Sequence, residues 1–499
     1  MMNSTSLSEI RPIEFMLNGS VVTISPDQPD TTLLNWLRNT RHLTGSKEGC
    51  AEGDCGACSV IISRRGNDGF ISHDAANACI LLLPMLDNLV VTTVEHIAGP
   101  EGALHPVQQA MVDCHGSQCG FCTPGFVISM VAGWRQGIVW ERQAIEDLIA
   151  GNLCRCTGYG PIIAAAESLA HQQSPSWESD RLAEENTWLQ SRHSRPLITA
   201  TDRPFMAPDN IKDLSFAILD HPDKQIIAGA TDIGLWVTKK HQLLSGFISV
   251  MGVPELNMIH EDGDSFTIGC AVSHGNAQTA LAHAYPQLDE LWRRFGSSQV
   301  RASGTVCGNL ANGSPIGDLP PALLALGAYL TICHGGHERT LPLDQFYHDY
   351  MVNDLKDGEW VKSVTIPKIT ANQHVMIHKI SRRFDQDISA VMGAFSYHIK
   401  DGKITSARIG FGGMAAIPKR AHNVEAALIG HKVNTPLESA ITDLMEQDFT
   451  PIHDVRASAG YRLHVAKVLL ERSVHTAETA FPELAGSGIH KLAWEGAAE

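Results

Sequence analysis

The chain of 499 residues is too long for a single hydrophobic core, and typical domain sizes of about 100 to 200 residues predict three or four domains. Its net charge of −16 argues against a nucleic-acid partner, because phosphate binding relies on clustered Lys and Arg, and no basic run is present. A hydrophobic fraction of 43% and a charged fraction of 18% are typical of a soluble globular protein.

The amino-terminal sequence and the apolar segments predict a cytoplasmic protein with no membrane contact. MMNSTSLSEIRPIEF has neither the basic region nor the apolar region of a secretory signal. The most apolar stretch of the first domain, residues 79–86, is far shorter than the ~20 residues of a membrane span. Nine of the twelve cysteines precede residue 160. In a reducing compartment such clustered cysteines indicate metal ligands rather than disulphides.

A β-hairpin is the first predicted element. EFMLNGSVVTI joins two apolar runs through Asn18-Gly19, a dipeptide that tolerates the positive φ angles of a tight turn. Leu33, Leu34 and Leu37 then share one face of a predicted helix. Further strands are predicted at residues 59–63 and 89–94, which gives a small, mainly β domain over residues 10–96.

Beyond about residue 100 the sequence predicts a helical domain, residues 97–172. Its helices begin near Thr123, Glu141 and Pro161, where capping residues or proline suit a first turn. The polar stretch of residues 171–196 has no apolar period, which predicts an exposed linker, residues 173–197. After it, strand-like QIIAGA and ARIGFGG alternate with helical PPALLALGAYL, indicating a larger α+β region.

The first group of cysteines has the spacing of a plant-type 2Fe-2S site. Cys50, Cys55 and Cys58 form C-x4-C-x2-C inside GCAEGDCGAC, and Cys79 follows twenty-one residues later. The interleaved glycines let the backbone wrap closely and direct amide hydrogens at sulphur. Structural zinc is the alternative, since four thiolates also suit tetrahedral Zn. Zinc sites usually contain two short C-x2-C knuckles, so the spacing favours an iron–sulphur cluster.

A second group of cysteines lies at predicted helix ends, where the helix dipole favours thiolates. Cys119 and Cys122 form C-x2-C, and Cys154 and Cys156 form C-x-C. For the neighbouring histidines, His105 and His115, packing is a better explanation than metal ligation. Four further cysteines are interpreted as small buried apolar residues with no role as metal ligands: Cys114, Cys270, Cys307 and Cys333.

Two glycine-containing segments of the α+β region suit a phosphate-bearing cofactor. QIIAGATDIG is an apolar strand with a turn that exposes backbone amides, although it lacks the GxGxxG of a Rossmann site. QVRASGTVCGNLANGSPIGD places Gly304, Gly308 and Gly313 among small polar residues before a helix. Either segment alone would be interpreted as a structural turn, and their occurrence together favours a cofactor site.

Together the motifs GCAEGDCGAC, SQCGFCTPG, GNLCRCTGY and FGGMAAIPKRA resemble those of the molybdenum hydroxylases, which include xanthine dehydrogenases and aldehyde oxidases. The resemblance implies a multidomain α+β fold. Its parts are a β-grasp plant-type ferredoxin domain, a helical-bundle 2Fe-2S domain, a two-part FAD-binding domain over residues 198–372 and a C-terminal α+β subdomain over residues 373–485. The first four cysteines would bind one cluster, and Cys119, Cys122, Cys154 and Cys156 the other.

The same resemblance implies a set of flavin-binding residues. They are Ile226, Ile227, Ala228, Gly229, Ala230, Thr231, Asp232, Ile233, Phe295, Thr305, Val306, Cys307, Gly308, Asn309, Asp318 and Lys419. Asp318 could accept hydrogen bonds from the polyol hydroxyls of the flavin. The charged segment HKISRRFDQDISAV suits either the border of a nicotinamide site or a solvated surface with ion pairs, and no NAD-contacting residue is assigned.

The fused order of iron–sulphur and flavin parts is similar to that of the small subunits of bacterial xanthine dehydrogenases. This implies a molybdopterin-binding large subunit as partner, in a heterotetramer of two small and two large subunits. Electrons from xanthine or hypoxanthine would pass through both clusters to FAD and then to NAD, with no catalytic residue on this chain. Alternatives are an aldehyde or another N-heterocycle as donor, oxygen or a quinone as acceptor, or a non-catalytic zinc-binding assembly protein.

Overall fold

The computed structural model describes residues 10–477, and its first domain is a mixed five-stranded sheet with strand order β2-β1-β5-β3-β4. β1 pairs antiparallel with β2 and parallel with β5, as in a β-grasp fold. The predicted hairpin is confirmed, with Asn18 and Gly19 at φ 49° and 78°. The elements are β1 (Ile13–Leu17), β2 (Ser20–Ile24), α1 (Leu33–Asn39), β3 (Ser59–Arg65), β4 (Ile71–Asn77) and β5 (Val90–Thr92).

The second domain is a bundle of four helices. The Nδ1 atom of His105 caps the first of them by accepting the N–H of Val107 at 3.1 Å. The longest helix begins directly after Cys122, which is its N-cap residue, and ends at the left-handed Gly137. The helices are α2 (Pro106–Asp113), α3 (Thr123–Gln136), α4 (Arg142–Ile149) and α5 (Gly160–Glu167).

The segment expected to be an exposed linker is a fifteen-residue helix, α6 (Ser176–Gln190), and that prediction is corrected here. Its buried face includes Glu178 and Glu185, both about 1% exposed, and Arg135 of α3 forms ion pairs with the two carboxylates at 2.9 and 3.2 Å. Because charged side chains occupy the buried face, the sequence shows no apolar period there. The helix is therefore docked on the second domain, and its Trp188 and Leu189 pack against Met16 and Val90 of the first.

The third domain contains two larger sheets, with strand orders β6-β7-β9-β8 and β10-β11-β16-β12-β13, and helices around them. Its strands are β6 (Leu197–Ile198), β7 (Phe205–Ala207), β8 (Gln225–Ile227), β9 (Phe247–Ser249), β10 (Ile259–Glu261), β11 (Ser265–Gly269), β12 (Tyr329–His334), β13 (His337–Pro342), β14 (Tyr347–Asp349), β15 (Val352–Asn353) and β16 (Trp360–Pro367). Its helices are α7 (Ile211–Asp220), α8 (Ile233–Thr238), α9 (His274–Leu281), α10 (Asp289–Arg293), α11 (Ser298–Ser303), α12 (Val306–Asn312) and α13 (Leu319–Leu326).

The C-terminal part is an antiparallel four-stranded sheet with order β17-β18-β19-β20, covered by helices. Met392 and Ala394 of its second strand join the core of the third domain, so these two parts pack as neighbours. The predicted residues 478–485 of this subdomain lie outside the described residues. The elements are β17 (Gln373–Ile380), β18 (Val391–Lys400), β19 (Lys403–Gly412), β20 (Lys419–Arg420), α14 (His422–Leu428), α15 (Ser439–Asp443), α16 (Met445–Asp448) and α17 (Ala459–His475).

The multidomain α+β architecture expected from the sequence is thus confirmed. Within residues 10–477, none of the helices combines the length and the apolar character that a membrane crossing requires.

Candidate cofactor sites

The first group of cysteines lies on the loop between α1 and β3, and Cys79 joins it from beyond β4. This loop curls around the sulphur of Cys50, with left-handed backbone at Ala51 and Gly53. Three backbone N–H groups donate to Cys50 Sγ: Glu52 at 3.5 Å, Asp54 at 3.3 Å and Cys55 at 3.4 Å. Such amide hydrogen bonds stabilise negative charge on sulphur.

The four thiols of this group contact one another. Hydrogen bonds from the thiols of Cys55 and Cys79 lower the pKa of Cys50. A hydrogen bond from Cys79 likewise lowers the pKa of the buried Cys58. These same bonds raise the pKa of Cys79, because its thiol supplies the shared protons. These hydrogen bonds therefore hold the four sulphurs of the group in contact with one another.

The second group forms two contacting thiol pairs, Cys119 with Cys156 and Cys122 with Cys154. The backbone N–H of Phe121 and the Cys156 thiol lower the pKa of Cys119. Burial raises the pKa of Cys122 to about 12. Cys119 and Cys156 are exposed, whereas Cys122 and Cys154 are half-buried. One side of this group thus faces the protein surface.

Both groups fit the donor set of a 2Fe-2S cluster, in which four cysteine thiolates are shared between two irons. Within residues 10–477, no group of three or more histidine, cysteine, aspartate or glutamate side chains is arranged to hold a single metal ion. The thiols instead contact one another within each group. Amide N–H groups directed at sulphur provide the further hydrogen bonds that such clusters use.

The two cysteine loops are in direct backbone contact. Leu153 N–H donates to the carbonyl oxygen of Cys55 at 3.0 Å, and the Asn152 side chain donates to the carbonyl oxygen of Gly56 at 3.3 Å. A Cβ atom at Gly125 would lie only 2.3 Å from the Gly56 oxygen. Only residues without side chains permit this approach, so the glycines of the two motifs position the loops against each other.

A cleft of about 490 Å³ lies between the two glycine-containing segments of the third domain. The first segment follows β8 and turns through Ala230, at φ 60°, into α8. The second contains Thr305, which caps α12 by accepting the Gly308 N–H at 3.1 Å. The segments touch, because a Cβ at Gly229 would lie 1.8 Å from the Ser303 oxygen. Predicted residues in the lining are Ile226, Ala228, Gly229, Ala230, Thr231, Asp232, Ile233, Phe295, Thr305, Cys307, Gly308 and Asn309.

The remaining predicted flavin residues do not line this cleft. Ile227 and Val306 are buried in the core beneath the two segments. Asp318 accepts hydrogen bonds from Lys379 Nζ at 2.6 Å and from the Ser389 hydroxyl, so both carboxylate oxygens are occupied within the protein. Lys419 donates to the backbone oxygen of Asp448 at 2.6 Å, and the structure does not bring it to the cleft.

Lys379 was not singled out from the sequence, although it lies beside the cleft. Its ammonium group, 3% exposed, also donates to the backbone oxygen of Arg294 at 3.0 Å. Arg294 directly precedes Phe295, a residue of the lining. No local motif identifies Lys379, because its partners Asp318 and Arg294 are distant in the sequence.

Three lining residues carry buried polar atoms that have no hydrogen-bond partner within the described chain. They are the Nδ1 atom of His274, the Oδ1 atom of Asn309 and the Nε1 atom of Trp360. Burial lowers the pKa of His274 to about 3, so its ring is neutral. Such atoms are costly unless a ligand or solvent satisfies them, which fits a cleft that receives a polar cofactor such as FAD. The sequence predicted only Asn309 of the three.

The cleft is linked to the first cysteine loop through α8. The Thr238 hydroxyl at the end of this helix donates to the carbonyl oxygen of Ala51 at 2.7 Å. At the start of the helix, a Cβ on Gly234 would lie 2.9 Å from Ile80, which follows Cys79. Because Ile233 and Trp236 of α8 line the cleft, this short helix contacts both the cleft and the first cysteine group.

The charged segment after β17 folds back against α10. Arg294 Nε donates to the backbone oxygen of Phe384 at 3.2 Å, and Gln386 donates to the backbone oxygen of Ala150 in the second domain. Arg383 and Asp387 form an ion pair at 3.2 Å, in which Arg383 is largely exposed. Part of the segment is thus an exposed ion pair, as one of the two interpretations of the sequence expected, whereas its Lys379 is buried against Asp318.

Comparison with known families matches four consecutive parts of the chain. Residues 15–83 match a 2Fe-2S iron–sulphur cluster binding domain, and residues 93–167 match a 2Fe-2S binding domain. Residues 199–369 match the FAD binding domain in molybdopterin dehydrogenase, and residues 377–477 match the CO dehydrogenase flavoprotein C-terminal domain.

Among curated relatives, xanthine dehydrogenase of Drosophila pseudoobscura pseudoobscura is 33% identical over 80% of this chain and 34% of its own length. Xanthine dehydrogenase of Emericella nidulans is 30% identical over 93% of this chain and 38% of its own length. The chain thus spans little more than a third of these relatives. A solved structure of Cu,Mo-CO dehydrogenase, 24% identical, has a TM-score of 0.51 over 54% of this chain and 96% of its own, which supports the fold.

The fold and the sites define an electron-transfer module with two 2Fe-2S domains and an FAD domain. The chain belongs to the molybdenum hydroxylase family, of which it carries the iron–sulphur and flavin-binding parts.

Proposed function

We propose that this chain is the electron-transfer subunit of a xanthine dehydrogenase. It would receive electrons from xanthine or hypoxanthine oxidation at a molybdenum cofactor on a partner subunit and pass them to NAD. The observation that carries the proposal is the continuous series of contacts from the exposed second cysteine group, through the first group, to the flavin cleft. The named relatives favour xanthine as the donor.

The chain's own residues would hold and align the carriers. Cys119, Cys122, Cys154 and Cys156 would ligate the cluster nearer the surface, and Cys50, Cys55, Cys58 and Cys79 the cluster nearer the cleft. The segments at residues 228–232 and 304–309 would bind FAD through backbone amides and small side chains. When bound, the clusters supply one-electron carriers and the flavin supplies a carrier that exchanges either one or two electrons.

The donor and acceptor are tested with the chain co-purified with its large subunit. We expect xanthine to bleach the visible absorbance of the protein under anaerobic conditions, and NAD to restore it. Restoration by oxygen or a quinone but not by NAD would contradict the dehydrogenase assignment. Bleaching by an aldehyde or another N-heterocycle, with none by xanthine, would contradict the donor.

The cofactor assignment has a separate test that needs no partner. Purified chain should contain iron and acid-labile sulphide together with FAD. Zinc in place of iron, with no flavin absorbance, would support the alternative of a non-catalytic zinc-binding protein. Mass measurement of the co-purified complex then tests the proposed heterotetramer of two small and two large subunits.

A further inference from the structure

The side chain of Gln299 lies where three domains meet. This residue belongs to α11 of the third domain, and only 1% of it is exposed. Its Nε2 atom reaches one acceptor in the first domain and two in the second, although an amide has only two hydrogens to share. These acceptors are Ser59 Oγ at 3.3 Å, Ser129 Oγ at 3.1 Å and Asn152 Oδ1 at 3.3 Å.

Each acceptor is close in sequence to a cysteine of the two groups. Ser59 directly follows Cys58, and Asn152 precedes Cys154 by two residues. Ser129 lies on α3, the helix that Cys122 caps. The amide of Gln299 thus lies between the backbone segments that carry both cysteine groups.

The three acceptors make further hydrogen bonds at the junction. Ser129 Oγ donates to Asn152 Oδ1 at 2.7 Å, and Ser59 Oγ donates to the carbonyl oxygen of Gly56 at 2.7 Å. The side-chain amide of Asn152 reaches the same Gly56 oxygen at 3.3 Å. A buried polar network of this kind specifies one arrangement when all of its members are satisfied. Loss of its central donor would remove the hydrogen bonds that the Ser59 and Ser129 oxygens accept from Gln299, while Asn152 Oδ1 would keep only the bond from Ser129.

The surroundings leave the Gln299 side chain little freedom. Its Oε1 atom accepts the Ser298 hydroxyl at 3.1 Å and would lie 1.9 Å from a Cβ at Gly151. The other end of α11 leads into Gly304 and Thr305, which line the flavin cleft. A six-residue helix therefore connects the cleft with the junction of the two cysteine loops.

We propose that Gln299 is a positioning residue that sets the separation of the two cysteine groups and registers both against the flavin domain. This inference rests on the proposed function, because the separation of the two cysteine groups affects activity only if electrons pass from one group to the other. Its physical content is that the loop of residues 150–156 is held against residues 55–59 by a side chain from a third domain.

The test compares Gln299→Met with Gln373→Met. Methionine keeps the length of the side chain and removes the donor. Gln373 is a matched control, since its amide donates to Ser396 Oγ at 2.9 Å within the C-terminal sheet, remote from the cysteines. We expect amide hydrogen exchange across residues 150–156, including Leu153, to be about tenfold faster in Gln299→Met. The Gln373→Met variant should exchange there like the unchanged protein.

A second readout uses the clusters themselves. In the fully reduced protein, the magnetic interaction between the two clusters splits their electron paramagnetic resonance signals by an amount that depends on the separation of the clusters. This splitting should change in Gln299→Met, whereas the iron content should not. A purely structural loss of stability would not alter this splitting. Unchanged exchange and unchanged splitting in Gln299→Met would overturn the proposal.

If Gln299→Met does not fold, Ser129→Ala can replace it, since this variant removes one acceptor at a smaller loss of stability. We then expect the same changes in hydrogen exchange and in magnetic splitting, but smaller ones. Hydrogen exchange can be measured without bound iron. It therefore tests the positioning role of Gln299 even if the purified chain contains no iron. Absence of iron from the unchanged protein would contradict the proposed function, whereas unchanged exchange contradicts only the role of Gln299.

Discussion

The backbone N–H of Leu153 donates to the carbonyl oxygen of Cys55 at 3.0 Å. Each of these residues belongs to, or adjoins, a different cysteine group, since Cys154 follows Leu153. A backbone path of covalent bonds with one hydrogen bond in it therefore connects the two groups. This contact requires the loops to approach at backbone distance, and the glycines of both motifs make that possible.

Gly125→Ala tests this close approach. The new Cβ would lie 2.3 Å from the carbonyl oxygen of Gly56, and a backbone atom cannot rotate away. We expect the overpacking to cost about 1–3 kcal/mol of unfolding free energy. The loops would separate, and up to half of the bound iron would be lost. Denaturant unfolding and iron analysis measure both effects.

Gly160→Ala is the matched control, because a Cβ at this position on α5 meets nothing within 4 Å. It should leave iron content unchanged and stability equal or slightly higher, as alanine favours a helix. Equal behaviour of the two variants would show that the backbone contact at Gly56 is unimportant.

The buried ion pair between Lys379 and Asp318 gives a second prediction. Lys379→Met leaves the Asp318 carboxylate without its cation in a site that is 7% exposed, which should destabilise the protein by about 3–5 kcal/mol. Flavin retention should also fall, because Lys379 holds the Arg294 carbonyl next to Phe295. The double variant Lys379→Met with Asp318→Asn should be more stable than Lys379→Met alone. If the double variant lost as much stability as the two single variants together, the result would contradict electrostatic coupling between Lys379 and Asp318.

The sequence was sufficient for features that local spacing encodes and insufficient for those that depend on distant partners. The eight cysteines and the two glycine-containing segments could be identified because a few consecutive residues define each one. Lys419 was predicted to bind the flavin but donates to the backbone oxygen of Asp448, away from the cleft. Lys379, which lies beside the cleft, could not be identified because its partner Asp318 is sixty-one residues away in the sequence. The docked helix α6 was missed for a related reason: its buried face is partly charged, and the cation that makes this possible lies on α3.

His105 predicts a specific loss of stability in acid. Burial, with Arg135 and Arg181 nearby, lowers its pKa from 6.5 to about 4. As the pH falls, the unfolded chain therefore binds a proton at His105 before the folded chain does. The contribution of the neutral ring to the free energy of unfolding is complete above pH 6.5 and is lost as the pH falls towards 4. His105→Asn keeps a capping side chain and should reduce this pH-dependent loss by up to about 3 kcal/mol.

The measurement is the unfolding free energy at several pH values between 4 and 7. Part of the acid sensitivity should persist in His105→Asn, because burial also lowers the pKa of His73 to about 4. Identical pH profiles for the variant and the unchanged protein would show that His105 does not titrate in this range.

The ion pairs of Arg135 predict that α6 resists proteolysis. Arg135 is fully buried between Glu178 and Glu185, and Arg181 of α6 donates to the backbone oxygen of Ala98 at 3.2 Å. Trypsin should therefore cut slowly after Arg181, although the segment is highly polar. Arg135→Met leaves the buried Glu185 without its ion-pair partner and Glu178 with Arg181 alone at 3.5 Å, which should cost about 3–5 kcal/mol and accelerate cleavage within residues 176–190. Arg142→Gln removes an exposed ion pair with Glu146 and should leave cleavage unchanged. Rapid cutting after Arg181 in the unchanged protein would instead favour the exposed linker that the sequence suggested.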